Sequence, residues 1–173
     1  MVVWRIYDHR AAYALQPTFD PLDGHGAALY PGRWNRAGLP MVYTSQTPEL
    51  ATLELLTKVT PVTFGVRMAV EIGLPETARI EDATPAVLEM LLHGRDEDLE
   101  EMGSSWALSG RSLALRVPAA VMPVSFNYLL NPAHPQAKEL RVVRQVPVSL
   151  DPRLLQKNAG RSAAEPRRSR GTS

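Results

Sequence analysis

The sequence contains no cysteine. That excludes a disulfide framework, a thiolate nucleophile and thiolate metal ligation, and it fits a reducing compartment. Long hydrophobic runs are missing too. Nothing approaches a membrane span, and the N-terminal MVVWRIYDHR lacks the apolar centre of a signal peptide. The expectation is a cytoplasmic protein that does not bind membrane. Charge of one sign is absent as well: 19 Lys and Arg stand against 18 Asp and Glu, a net charge of +1. Such a balance gives no global pull toward nucleic acid. There is no glycine-rich phosphate loop, no dinucleotide GxGxxG and no nucleophile elbow. The four histidines, His9, His25, His93 and His134, show no metal-ligand spacing, so no metal is expected.

What is present is enough chain for one domain: 173 residues, 45% of them hydrophobic. Composition changes near Gln156, where QKNAGRSAAEPRRSRGTS contains no large apolar residue. Such a segment buries too little to offset its ordering entropy. The expected organisation is a folded domain over residues 1–155 and a disordered basic tail over 156–173. The tail reads as a solubilising terminus in preference to a nucleic-acid arm.

Within the domain, strand and helix signals alternate. VVWRIYD reads as a first strand, residues 16–31 as a long loop rich in Pro, Asp and Gly, and LPMVYTS as a short strand. Thr47-Pro48-Glu49 starts a helix with a capping hydroxyl, a proline at the first position and an acid near the positive dipole end. That helix is expected to run to about Lys58. Val62, Phe64, Val66, Met68, Val70 and Ile72 alternate with Thr63, Arg67 and Glu71, a half-buried strand. Thr84-Pro85 opens a further helix closed by Gly94. SLALRVPAAVMPV and KELRVVRQVPVSL supply more strands. The acidic run from Arg95 to Glu101 reads as a solvated surface. No parallel βαβ rhythm is sustained, so the class is α+β with a mainly antiparallel sheet.

Few residues carry chemistry. The helix bearing Glu54 has Leu50, Ala51, Leu53, Leu55 and Leu56 on several faces, which predicts a largely buried helix. Its carboxylate is then either half of a buried salt bridge or a group held in a pocket to act on a ligand; spacing leaves both open. Arg33, beside Gly32, reads alone as a turn arginine, and its planar fork also suits phosphate. Trp34 reads as a core anchor and Asn35 as a turn former. Tyr43 either packs in the core or offers its ring to a flat heterocycle.

Taken in order, Trp4-Arg5, Gly32-Arg33-Trp34-Asn35, Val42-Tyr43-Thr44-Ser45, Leu53-Glu54, Trp106, Leu115-Arg116-Val117-Pro118 and the stretch from Asn127 to Pro135 resemble the RES domain, over roughly residues 3 to 155. The resemblance implies a fold similar to that of ADP-ribosyltransferases and the toxin half of a bacterial toxin–antitoxin pair. It implies NAD⁺ as substrate, with no resident cofactor and with inorganic phosphate or water as acceptor. The partner it implies is an antitoxin with a helix-turn-helix (Xre-type) domain that blocks the active site, in a complex where the toxin pairs with itself. Carried over, the family's arginine, tyrosine and glutamate fall on Arg33, Tyr43 and Glu54, with Arg5 and Asn35 as further ligand-binding positions. One departure stands out. Where the family reads VPS, this chain has Val117-Pro118-Ala119, leaving Ser112 or Ser125 to replace the missing hydroxyl.

These residue types suit cleavage of the nicotinamide–ribose bond. Nicotinamide leaves neutral, so no acid must protonate it, and one carboxylate stabilises the oxocarbenium-like ribose. Two alternatives come with the same set: an ADP-ribosyltransferase acting on a macromolecule, and a non-catalytic binding protein, which the missing serine favours.

Overall fold

The computed structural model describes residues 1–59, 65–93 and 96–151. The expected basic tail, Val62 to Phe64 of the alternating strand, and Gly94 lie outside them. In chain order the elements are β1 (Val2–Tyr7), α1 (His25–Leu29), β2 (Val42–Ser45), α2 (Pro48–Leu56), β3 (Arg67–Gly73), β4 (Ile80–Asp82), α3 (Thr84–His93), α4 (Asp96–Ser109), β5 (Ala114–Ala119), β6 (Met122–Leu130), a 3₁₀ turn (Pro135–Glu139) and β7 (Arg141–Val148). The strands form one sheet in the order β4-β5-β6-β2-β1-β3-β7. Every pairing is antiparallel except β4 with β5. Parallel neighbours need a crossover, and α3 and α4 provide it. No helix among the described residues is long and apolar enough to cross a membrane.

Strand alternation sorts the core onto two faces. Val42, Ala114, Tyr128 and Leu130 join one cluster with Val3, Tyr7, Val70 and Ile72, covered by Ala14, Phe19 and Leu22 of the segment after β1. Their neighbours Leu115, Val117 and Leu129 join a second cluster with Trp34, Met41, Val87, Leu99 and Trp106, against which Tyr43 packs. Helices α3 and α4 cover this second face.

Four expectations need correction. The stretch 16–31 is not all loop: α1 forms within it, entered from Gly24 at φ 69°, where a Cβ would stand 2.6 Å from the Met41 backbone nitrogen. The acidic run is not simply solvated surface. Asp96, Glu97 and Asp98 form the first turn of α4, where the dipole favours them, and Leu99 is fully buried. The described part of the alternating strand departs from strict alternation: Arg67, expected outward, is buried and pairs with Asp8 at 2.5 Å, while Val66, expected inward, is 44% exposed. Finally, α2 is less buried than its leucines suggest. Only Leu50 and Ala51 are buried, and Leu53 is 42% exposed. Its start is as expected, with the Thr47 hydroxyl accepting from the Leu50 amide at 3.2 Å. Strand β4, only three residues long, had no readable signal.

Helix α4 presses on the loop before β2 through Gly103, where a Cβ would lie 2.1 Å from the Trp34 carbonyl oxygen. The Arg36 amide also donates to the Ser104 hydroxyl at 3.1 Å. Gly103→Ala must therefore move backbone, and a loss of about 1–3 kcal/mol is expected. Urea unfolding of the variant checks it; an unchanged midpoint would mean that the helix and loop are not in fixed contact.

Candidate functional site

A cavity of about 930 Å³ opens where β1, β2 and β6 meet α2, the loop from Tyr30 to Trp34, and the start of α4. Arg5, Arg33, Tyr43 and Glu54 all line it. Asn35 does not.

Asn35 stands behind the wall and builds it. It is fully buried. Its Oδ1 accepts from the Gly32 amide at 3.0 Å and from the Tyr43 hydroxyl at 2.7 Å. Its Nδ2 is shared among the carbonyls of Ala27, Arg36 and Leu39. The loop thus closes on an amide that satisfies buried backbone groups from several segments. With its polar atoms so engaged, Asn35 is a scaffold for the cavity and contributes no contact surface to it. Trp34 is buried in the core.

Tyr43 uses its hydroxyl in the same network, accepting from the Trp34 amide at 3.0 Å while donating to Asn35. Burial raises its pKa strongly, and proximity to Glu100 adds to that; the Trp34 amide and Arg33 oppose it. It stays a neutral phenol through the physiological range. The tyrosine therefore brings a ring face to the cavity, with the Lys58 ammonium 5.9 Å from the ring centre. Gly32 is fixed by this packing: a Cβ there would fall 2.5 Å from the Tyr43 hydroxyl oxygen.

The two arginines differ. Arg33 is exposed at the rim and pairs with Asp96 at 3.1 Å. Arg5 is buried, donates to the Pro21 carbonyl and lies over the Tyr7 ring at 5.7 Å. Burial lowers its pKa, while Tyr13, Asp23 and Tyr7 act in the opposite sense. Arg5 thus ties the segment after β1 to the sheet from the inner wall of the cavity.

Glu54 is partly buried, and its Oε1 accepts from Asn127 Nδ2 at 2.6 Å. Asn127 Oδ1 in turn accepts from the Ser45 hydroxyl at 2.7 Å. The carboxylate is not in a salt bridge with any described residue; it lines the cavity with one oxygen on the Asn127 amide. Lys58, Asp96, Glu97, Glu100, Ser45 and Asn127 also line the cavity and had no assigned role in the sequence. Ser45 and Asn127 sat within recognised motifs; their pairing across β2 and β6 is visible only in register.

The expected serine replacements fare poorly. Ser112 is fully buried, accepts from Trp106 Nε1 at 2.8 Å and donates to the Ala114 carbonyl. Ser125 does not line the cavity. Ala119 is fully buried, while its neighbours Pro118 and Ala120 form part of the wall. Among the described residues no cluster of three or more His, Asp or Glu side chains is placed to hold a metal.

Removing the Tyr43 hydroxyl would leave the Trp34 amide and one Asn35 lone pair unpaired in a buried setting. Tyr43→Phe is expected to cost about 1–3 kcal/mol of stability in denaturant unfolding. Unfolding at the wild-type midpoint would show that the hydroxyl does not hold the loop.

Known proteins resemble this chain in sequence and in fold. Residues 2–151 match the model of the RES domain. The chain is 35% identical over 162 residues to the Prs ADP-ribosylating toxin of a Sphingobium species, covering 89% of this chain and 96% of that protein. It is 34% identical over 145 residues to Toxin Res of Pseudomonas putida, covering 82% and 92%. Among solved structures, the M. tuberculosis MbcT–MbcA toxin–antitoxin complex contains a chain that superposes with a TM-score of 0.64 at 18% identity, covering 89% of this chain and 86% of that one. At that identity the superposition speaks for the fold alone, and the sequence matches settle the family: this chain belongs to the RES domain family.

Proposed function

We propose that this protein is the toxin of a toxin–antitoxin pair and that it depletes NAD⁺ by cleaving the nicotinamide–ribose bond, with phosphate or water as acceptor. The observation that carries the reading is the meeting in one cavity of a carboxylate free of any described cation, Glu54, with a flat ring, Tyr43, and the cations Arg5, Arg33 and Lys58. In this reading Glu54 lies beside the ribose. Its charge stabilises the positive charge that develops as nicotinamide departs with the bonding electrons, and the acceptor oxygen then attacks the anomeric carbon. The Tyr43 ring packs on the heterocycle or ribose. Its hydroxyl is committed to the loop, so it serves neither as acid nor as base.

Arg33 grips the pyrophosphate. To do so it must leave Asp96, and that exchange costs little, because an ion pair as exposed as this one is worth about 0–1 kcal/mol. A phosphate offers two oxygens to the guanidinium fork and a larger charge. The antitoxin, of the helix-turn-helix Xre type, binds over the cavity in the cytoplasm and blocks it, within a complex that contains the toxin as a homodimer. The structural neighbour is a chain of a toxin–antitoxin assembly, which supports an antitoxin partner.

A second reading has one specific observation in its favour, the name of the Prs ADP-ribosylating toxin. There the acceptor is a macromolecule and the same bond breaks. Purified protein incubated with NAD⁺ carrying a label in its adenylate half separates the cases. Nicotinamide release that needs phosphate marks a phosphorylase, and release without phosphate a glycohydrolase. Label fixed on protein or nucleic acid marks a transferase. Glu54→Gln is expected to lower release by about 10²–10³-fold. Intact NAD⁺ with folded, antitoxin-free wild-type protein would overturn all three and leave a binding module.

Asp96 yields a separate expectation. Asp96→Asn frees Arg33 and is expected to lower KM for NAD⁺ by up to about fivefold, the kinetic equivalent of ~1 kcal/mol. A raised KM would mean that Asp96 orients the arginine instead of competing for it.

A further inference from the structure

Glu54 is the only part of the hydrogen-bonded line Ser45–Asn127–Glu54 to which the family resemblance gives a role. Ser45 ends β2, Glu54 lies on α2 immediately after it, and Asn127 faces Ser45 across the β2–β6 pairing. The Asn127 amide therefore spans from one end of a β–α unit to the helix that follows. Its two ends are chemically distinct. Nδ2 donates to Glu54 Oε1 at 2.6 Å, and Oδ1 accepts the Ser45 hydroxyl proton at 2.7 Å. A reversed amide would set its oxygen lone pairs against the carboxylate and its N–H groups against the hydroxyl. Ser45 is buried, so its hydroxyl has little water to turn to. Among the described residues, Glu54 Oε2 accepts no hydrogen bond, and Glu54 lines the cavity.

We propose that Asn127 is a positioning residue: oriented by Ser45, it clamps one oxygen of Glu54 so that the other is presented to the ribose. The proposal rests on the NAD⁺-cleaving reading above. A neutral amide suits this task better than a cation. It fixes the carboxylate without cancelling the charge that stabilises the oxocarbenium ion. It also gives the chain a serine at the active site, acting through another residue, although Ala119 replaces the serine expected elsewhere.

The test is steady-state NAD⁺ consumption by the full chain, wild type against N127D, S45A and S45T, each with a thermal melt. Asp keeps the shape of Asn and replaces the donor by an acceptor. N127D is expected to lower kcat about 100-fold, the cost of a reacting group held about 1 Å out of place, with KM for NAD⁺ changed less than about threefold. S45A lowers kcat by a smaller factor, and S45T, which keeps the hydroxyl, restores it. An unchanged kcat in N127D, or a change confined to KM, overturns the proposal. Should N127D fail to fold, S45A decides: a kcat equal to wild type overturns it, and loss rescued by S45T supports it. Wild-type protein that leaves NAD⁺ intact overturns the underlying reading as well, which separates the two failures.

Discussion

The geometry of the cavity depends on one buried amide. Asn35 gathers Gly32, Tyr43, Ala27, Arg36 and Leu39 around a single side chain. A loop of that length carries backbone groups that must find partners once it is pressed between α4 and the sheet. Asn35 supplies both a donor and an acceptor at the same point, which neither Asp nor Ser can do over such a span. Once it is in place, Tyr43 is anchored at its hydroxyl, Gly32 must lack a side chain, and Arg33 emerges at the rim. The arginine is thus positioned by a residue that never touches the cavity.

Glu54 is held by different means. Its helix begins with a threonine cap and a proline, and that start sets which residues face the cavity. The helix is only half covered, which reconciles an acidic side chain with a leucine-rich segment: Leu53 points to solvent, and Glu54 sits between cover and opening. A carboxylate paired with arginine there would be a stabilising element with its charge neutralised. Paired with an amide, it keeps a net negative charge in a partly desolvated place, where its effect on a nearby cation is larger than in water.

Much of this was legible in the sequence, for reasons that particular residues make clear. Strands β1 and β2 and helix α2 follow from short-range signals: alternation, a cap and a proline. Arg5, Arg33, Tyr43 and Glu54 were legible because their order resembles a known family, and the fold then brings all four to one cavity. Asn35 is legible as a turn former; that its polar atoms are engaged in a buried network behind the cavity wall is visible only in the fold. Helix α4 was missed because its first turn is charged, a pattern that favours both a solvated surface and a helix N-terminus; Leu99 beneath it decides for the helix. Strand β4 is too short to alternate. The Ser45–Asn127 contact depends on strand register, which no local pattern encodes.

The order of the sheet explains why residues so far apart in sequence converge. Arg5, Tyr43, Ser45 and Asn127 lie on β1, β2 and β6, three adjacent strands at the centre of the sheet. Glu54 follows β2 on the next helix, and Arg33 precedes β2 in the loop. Strand β2 is therefore the hub. It is only four residues long, yet it is hydrogen-bonded on both edges, by one registered pair to β1 and by four to β6. Side chains on such a strand have little freedom to shift. The loop before it and the helix after it are more exposed; the loop carries Arg33, paired at the rim with Asp96, and the helix carries Glu54, held by Asn127. A rigid central strand is thus flanked by an arginine in a weak, exposed ion pair and by a carboxylate braced by an amide; in the proposed reading the first yields to a charged ligand and the second stays fixed.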